Sequence, residues 1–377
     1  MTTARDGPGI LRARLPVVAL IAFATFLGLW AGLVLLGWSL PVVSVGFPDW
    51  HGPLMVNGVL ATLIGLERAV ALRRAWAFAA PAVSGGGTLA LLTPLGPMLG
   101  GVFWIVSGLL LTAVFLEIYR RQPGFHSAVL TTAAALLFFG NLTWWATGDV
   151  PAMVLWWVSF LVLLIAGERL ELSRVFRLTL AKRVAFGVGA AMLVVGPVLS
   201  TVTLVPAIAT EAAGLVTLGV WLLLYDVARA NLPLSGRPRF LGLCLVSGYA
   251  WIVFAGALAL GTGASLPGLV YDAFLHAIFI GFVFTMIMAH ALVIMQAFLG
   301  RSVPFTRAFY VPLVLIEGTL VLRVASDLAG WDALRMWAGL LNVVAILSFV
   351  FVLGGNLARD RLRWIQDLFH PDFMNVR

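Results

Sequence analysis

Cysteine is almost absent: Cys244 is the single one in 377 residues, so no disulfide framework and no cysteine-built zinc or iron–sulfur site can form within one chain. Charge is scarce too. Asp, Glu, Lys and Arg make up 11% of the residues against 62% hydrophobic ones, and the mean hydropathy is +1.04. That balance excludes a string of soluble domains and predicts an all-α polytopic membrane bundle. The formal charge of +8 does not point to nucleic acid, because the cations fall almost wholly between alternate hydrophobic spans.

What is present is a series of apolar runs. The first, from Val17 to about Trp38, follows Arg5, Arg12 and Arg14; it is too long for a signal peptide and lacks a small-residue cleavage pattern, so it is read as a retained helix. Eleven more spans follow at roughly 51–72, 76–95, 97–119, 126–147, 151–172, 184–204, 207–229, 239–262, 270–299, 305–328 and 333–356. The expectation is one integral membrane domain over 1–377, with a basic N-terminus (1–15), twelve transmembrane helices (16–356) and a tail lying at the interface (357–377). Arginines crowd the even-numbered connections and both tails, at Arg73, Arg74, Arg120, Arg121, Arg169 and Arg359 among others. Both termini are therefore expected on the cytoplasmic side of the cytoplasmic membrane.

The chain holds five histidines, and two of them share its longest apolar run, Tyr271 to Leu299. His276 and His290 are fourteen positions apart. On a regular α-helix that is about 1400° of rotation and about 21 Å of rise, which sends both rings from one face at opposite leaflets. This spacing is found where one helix ligates two haems stacked across a bilayer. The alternative is a pair of interior histidines hydrogen-bonded to neighbouring carbonyls or hydroxyls.

The topology supplies partners for both rings. His51, at the start of the second span, falls at the outer face with His276; His126, at the start of the fifth, falls at the inner face with His290. The stretch WHGPLMVNGVLATLIG after Trp50 is rich in glycine, which lets a flat macrocycle or another helix come close. Asp272, one turn before His276, is placed to take its second ring N–H. Arg323 needs an anion, which Asp327 or a haem propionate would supply. His126 at the rim is also read as a solvated interfacial histidine, and His370 as part of the amphipathic tail.

Two short matches suggest an internal repeat. Gly65-Leu66-Glu67-Arg68 closes the second span and Gly167-Glu168-Arg169 the sixth, which hints at three four-helix units. Each Glu/Arg pair reads as satisfying itself near the headgroups; the alternative is an inner proton or ion path through Glu67, Glu117 and Glu168.

The run LHAIFIGFVFTMIMAHALV followed by GRSVPF resembles the tenth helix of NnrS-like membrane proteins. HGPLMVNGVLATLIG, AGERLELSRVFR and SGYAWIVFAGALALG are similar to that family's second, sixth and ninth helical segments. The resemblance implies a haem- and copper-containing protein connected with nitric oxide, and more remotely the architecture of the haem–copper oxidase main subunit. Carried over, His51 and His276 are the matching ligand candidates. The chain departs from the pattern around Cys244 to Tyr249, where relatives tend to have a histidine. A binuclear centre needs about three imidazoles beyond the haem ligand, and those are missing, so oxidase-type chemistry is not expected. Copper has little to hold it; Met55 is a soft candidate, although a membrane methionine usually packs.

These residues lead to one principal reading and two others. The first is a b-type haem protein with one haem on His51 and His276, or two if His126 and His290 pair, serving electron transfer or a diatomic gas such as nitric oxide. The second is a cofactor-free transporter using His276, His290, Glu67 and Arg323, with flexibility at Ser84-Gly85-Gly86-Gly87. The third is a non-catalytic assembly factor.

Overall fold

The computed structural model describes residues 8–173, 178–265, 268–299 and 303–368. Arg5, Arg174, Arg301 and His370 lie outside the described residues. Among the described residues every regular element is helical. The helices are α1 (Pro8–Leu35), α2 (Phe47–Leu72), α3 (Ala79–Leu91), α4 (Gly96–Arg121), α5 (Phe125–Thr147) and α6 (Val150–Leu172). They continue as α7 (Leu180–Ser200), α8 (Leu204–Tyr225), α9 (Gly236–Gly261), α10 (268–299), α11 (Tyr310–Ala329) and α12 (Asp332–Leu368).

Eleven of these segments are long and apolar enough to cross a membrane. The exception is α3. Expected over 76–95, it is a 13-residue α-helix preceded by a 3-10 turn, Ala75–Phe78. Arg73, with φ of 54°, ends α2 in the left-handed region, and Pro94 disfavours helix at the residue before it, so α3 is squeezed from both sides. At the other extreme α12 runs unbroken for 37 residues, about 55 Å. The residues 357–368, expected as a separate interfacial segment, prolong that helix.

Short connections return each helix beside the one before it, which brings the arginine-rich connections to one end of the bundle and the arginine-poor ones to the other. The centre is α6, which packs on α5, α7, α8 and α10. Almost every side chain from Met153 to Leu170 is buried, because its apolar residues run all round the helix with no polar stripe to face water. The rim is built differently. On α12, Val350 and Phe351 are exposed, as suits a lipid-facing surface. Close helix contacts rely on small residues: a Cβ on Gly256 of α9 would come within 2.6 Å of the Ala212 carbonyl on α8.

Two helices depart from α geometry inside the membrane. In α2, Leu54–Ala61 winds as π-helix, and in α10 Ala277–Phe284 does the same. The cause in α2 is visible at Asn57, whose carbonyl accepts the Thr62 backbone N–H five residues on, the Thr62 hydroxyl at 2.9 Å and the Ser84 hydroxyl at 2.8 Å. In α10 the Thr285 hydroxyl bonds the Gly281 and Phe282 carbonyls, at 2.6 and 2.9 Å. Each π segment begins within one turn of a histidine, His51 or His276.

Candidate functional site

His51 opens α2 against the backbone of α1. Its Nδ1 lies 2.8 Å from the Gly28 carbonyl, and since a carbonyl only accepts, Nδ1 carries the proton and Nε2 keeps its lone pair. Gly32 makes room for the ring: a Cβ there would sit 2.7 Å from Nδ1 and 2.9 Å from Cε1. Any larger residue at 32 pushes the imidazole away.

His276 is arranged in the same way on α10. Its Nδ1 is 2.9 Å from the Asp272 carbonyl and 3.2 Å from the Asp272 carboxylate, so one ring N–H is shared between them and Nε2 is again left as the acceptor. The expected role of Asp272 beside this ring is thus present in the geometry. The two rings lie beside each other between α2 and α10, with centroids 6.4 Å apart and planes only 15° from parallel.

Behind His276 stands a charge cluster on α10, α11 and α12. Arg323, 3% exposed, donates from Nε to Asp272 at 3.0 Å, and its Nε lies 3.4 Å from Asp327. Arg335 reaches Asp327 at 3.2 Å. Two arginines thus meet two aspartates, so the cluster balances internally. Asp272, not Asp327 alone, is the anion that Arg323 was expected to need.

The arginine-rich end does not repeat this arrangement. His290 donates from Nδ1 to the Met286 carbonyl at 2.7 Å. His126 is buried with Nε2 3.7 Å from Glu171. The expectation that His276 and His290 leave one face assumed an unbroken α-helix. The π segment lies between them, and each i→i+5 turn takes up about one extra residue, about 100° of register. His276 accordingly meets α2 and α11, whereas His290 lies within electrostatic reach of Glu168 and Arg169 on α6 and Asp226 after α8.

The repeated Glu-Arg dipeptides are not self-satisfied. Arg68 pairs with Glu168 a hundred positions away as well as with Glu67, and Arg169 makes a two-pronged bond to Asp226, 2.9 and 2.7 Å. They clamp α2 to α6, and α6 to the end of α8. Glu117, by contrast, pairs with Arg121 one turn along its own helix.

Sequence reasoning missed three features. Gly28 and Gly32 sit one turn apart in α1, a small-xxx-small spacing that could have signalled a close partner. The π segments leave no simple pattern in the residues. Glu211, fully buried in α8, was detectable as a lone acid inside an apolar span. Met55 turns toward α1, where a Cβ on Gly28 would meet its sulfur at 2.7 Å. No group of three or more His, Cys, Asp or Glu placed to hold a metal occurs among the described residues.

Residues 14–355, from within α1 to within α12, match the family described as Domain of unknown function (DUF8744). The chain belongs to this family. The match takes in both halves of the histidine pair and the whole charge cluster behind it. No curated protein and no solved structure matches the chain.

Proposed function

We propose that this member of the family is a b-type haem membrane protein in which His51 and His276 hold a single iron. The observation that carries the reading is the ring pair. Nε2 of His51 from α2 and Nε2 of His276 from α10 would hold the iron, which needs the two rings close together. The rings of His51 and His276 are 6.4 Å apart and nearly parallel, and both have Nδ1 engaged and Nε2 available.

The chain's own residues then have defined tasks. The Gly28 carbonyl and Asp272 fix the tautomer and tilt of the two rings. Arg323 holds Asp272 in place, and Arg335 closes the cluster on Asp327. A haem with two histidine ligands supplies one-electron exchange and leaves no open position, which favours electron transfer over gas binding. The resemblance to NnrS-like proteins supports a link to nitric oxide response or tolerance. Met55, the soft ligand that copper would use, packs on α1 instead.

We place the histidine pair at the outer face of the cytoplasmic membrane and both termini in the cytoplasm, on the distribution of arginine. Fluorescent-protein and alkaline phosphatase fusions at the C-terminus read this directly: fluorescence with no phosphatase activity is expected. The haem itself is tested on the detergent-purified protein by a reduced-minus-oxidised spectrum, a pyridine haemochrome assay and iron analysis. One b-type haem per chain is expected, lost in His51→Ala and in His276→Ala and kept in His126→Ala and His290→Ala. Colourless, iron-free protein from haem-replete cells would overturn the reading.

A further inference from the structure

Far from the histidine pair, α8 buries a carboxyl group that the proposed chemistry does not use. Glu211 is the eighth residue of α8, about 10 Å from its arginine-poor end, and is 0% exposed. One oxygen accepts the Ser159 hydroxyl from α6 at 2.7 Å. The other oxygen, Oε2, is buried and has no hydrogen-bond partner among the described residues.

The neighbouring helix is shaped to leave that oxygen room. A Cβ on Gly196 of α7 would stand 2.6 Å from Oε2, so glycine is what allows the carboxyl to lie there. Two carboxyl oxygens and a hydroxyl thus gather at one depth, one of those oxygens unpartnered among the described residues. An intramembrane acid with further oxygen donors beside it is the donor set by which membrane proteins bind small cations.

No compensating charge is built in. An ionised carboxylate in this setting needs a cation, and among the described residues no lysine, arginine or histidine faces Glu211 from α6, α7 or α9. A cavity lies toward the arginine-poor end. Its volume is about 340 Å³, it opens between α6, α8, the turn after α9 and α10, and its wall includes Leu155 and Ile208, one turn from Ser159 and Glu211, and Tyr271, the titratable side chain in its lining. The buried Tyr271 hydroxyl has no partner among the described residues.

We infer that Glu211, with Ser159, is a binding site for an exchangeable monovalent cation, a proton or Na⁺, entered from the arginine-poor end. The site stands apart from the haem reading and holds or fails without it.

The test uses the full chain in nanodiscs with dicyclohexylcarbodiimide, an apolar reagent that adds to a protonated carboxyl and leaves a mass tag on its peptide. Wild type is expected to be tagged at Glu211 in acidic buffer and several-fold less in alkaline buffer, and Glu211→Gln to take no tag on that peptide. If Na⁺ but not choline suppresses tagging, the cation is Na⁺; if neither does, it is a proton. Ser159→Ala, which removes one oxygen ligand but leaves the acid, is expected to keep the tag and, for Na⁺, to need several-fold more salt for protection. Absence of a tag at Glu211 in monodisperse protein at every pH, or tagging indifferent to both pH and Na⁺, would overturn the inference.

Discussion

At the scale of single residues, the histidine pair depends on what is missing beside it. Gly32 leaves the space that the His51 ring fills, so Gly32→Ala is expected to displace that ring, lower the thermal midpoint and release bound haem. Gly354→Ala, where nothing lies within 4 Å of the added carbon, is expected to change neither melting nor absorbance. Asp272→Asn keeps the shape but removes the charge that His276 and Arg323 share. The expected outcome is a less basic imidazole and a midpoint potential moved upward in a redox titration; an unchanged potential would detach Asp272 from the iron. How much of this was legible depends on the residue. His51, His276, Asp272 and Arg323 stand out because polar side chains in apolar spans need partners, and each partner lies at a helical or topological offset that can be counted. Gly32 does not stand out, because its role is defined by a ring on another helix.

At the scale of elements, periodicity finds α2 and α10 but not their windings. The count from His276 to His290 uses the α period throughout, and the π segment Ala277–Phe284 between them departs from it in a way that no local apolar pattern records. Deleting Val59 from the π segment of α2 is expected to restore α geometry and swing His51 by about 100° relative to Arg68. Either the ring pair or the Arg68–Glu168 clamp must then break, seen as lost absorbance or a lower thermal midpoint. The other clamp carries a firmer magnitude. Arg169 and Asp226 are buried and two-pronged, so Asp226→Asn or Arg169→Leu is expected to cost about 3–5 kcal/mol in denaturation, and the double change less than the sum. The repeated Glu-Arg dipeptides were visible in the sequence. Their partners were not, since a motif states which charges recur and says nothing of which copies meet.

At the scale of the whole molecule, class, helix order and the burial of α6, apolar all round, follow from hydropathy, whereas the shortness of α3 is set by Arg73 and Pro94 on either side of it. Cys244 is completely buried, so a membrane-permeant maleimide is expected to leave the native protein unmodified and react once it is denatured. The chain is therefore ready for single-cysteine mapping without removing its own thiol. The length of α12 sets a boundary on what such mapping will find. A hydrocarbon layer of about 30 Å uses up little more than half of a helix of about 55 Å, so α12 is longer than a span needs. An unbroken helix hands on rotation and tilt as a lever does, so whatever grips its far end is coupled to Gly339, beside Arg323.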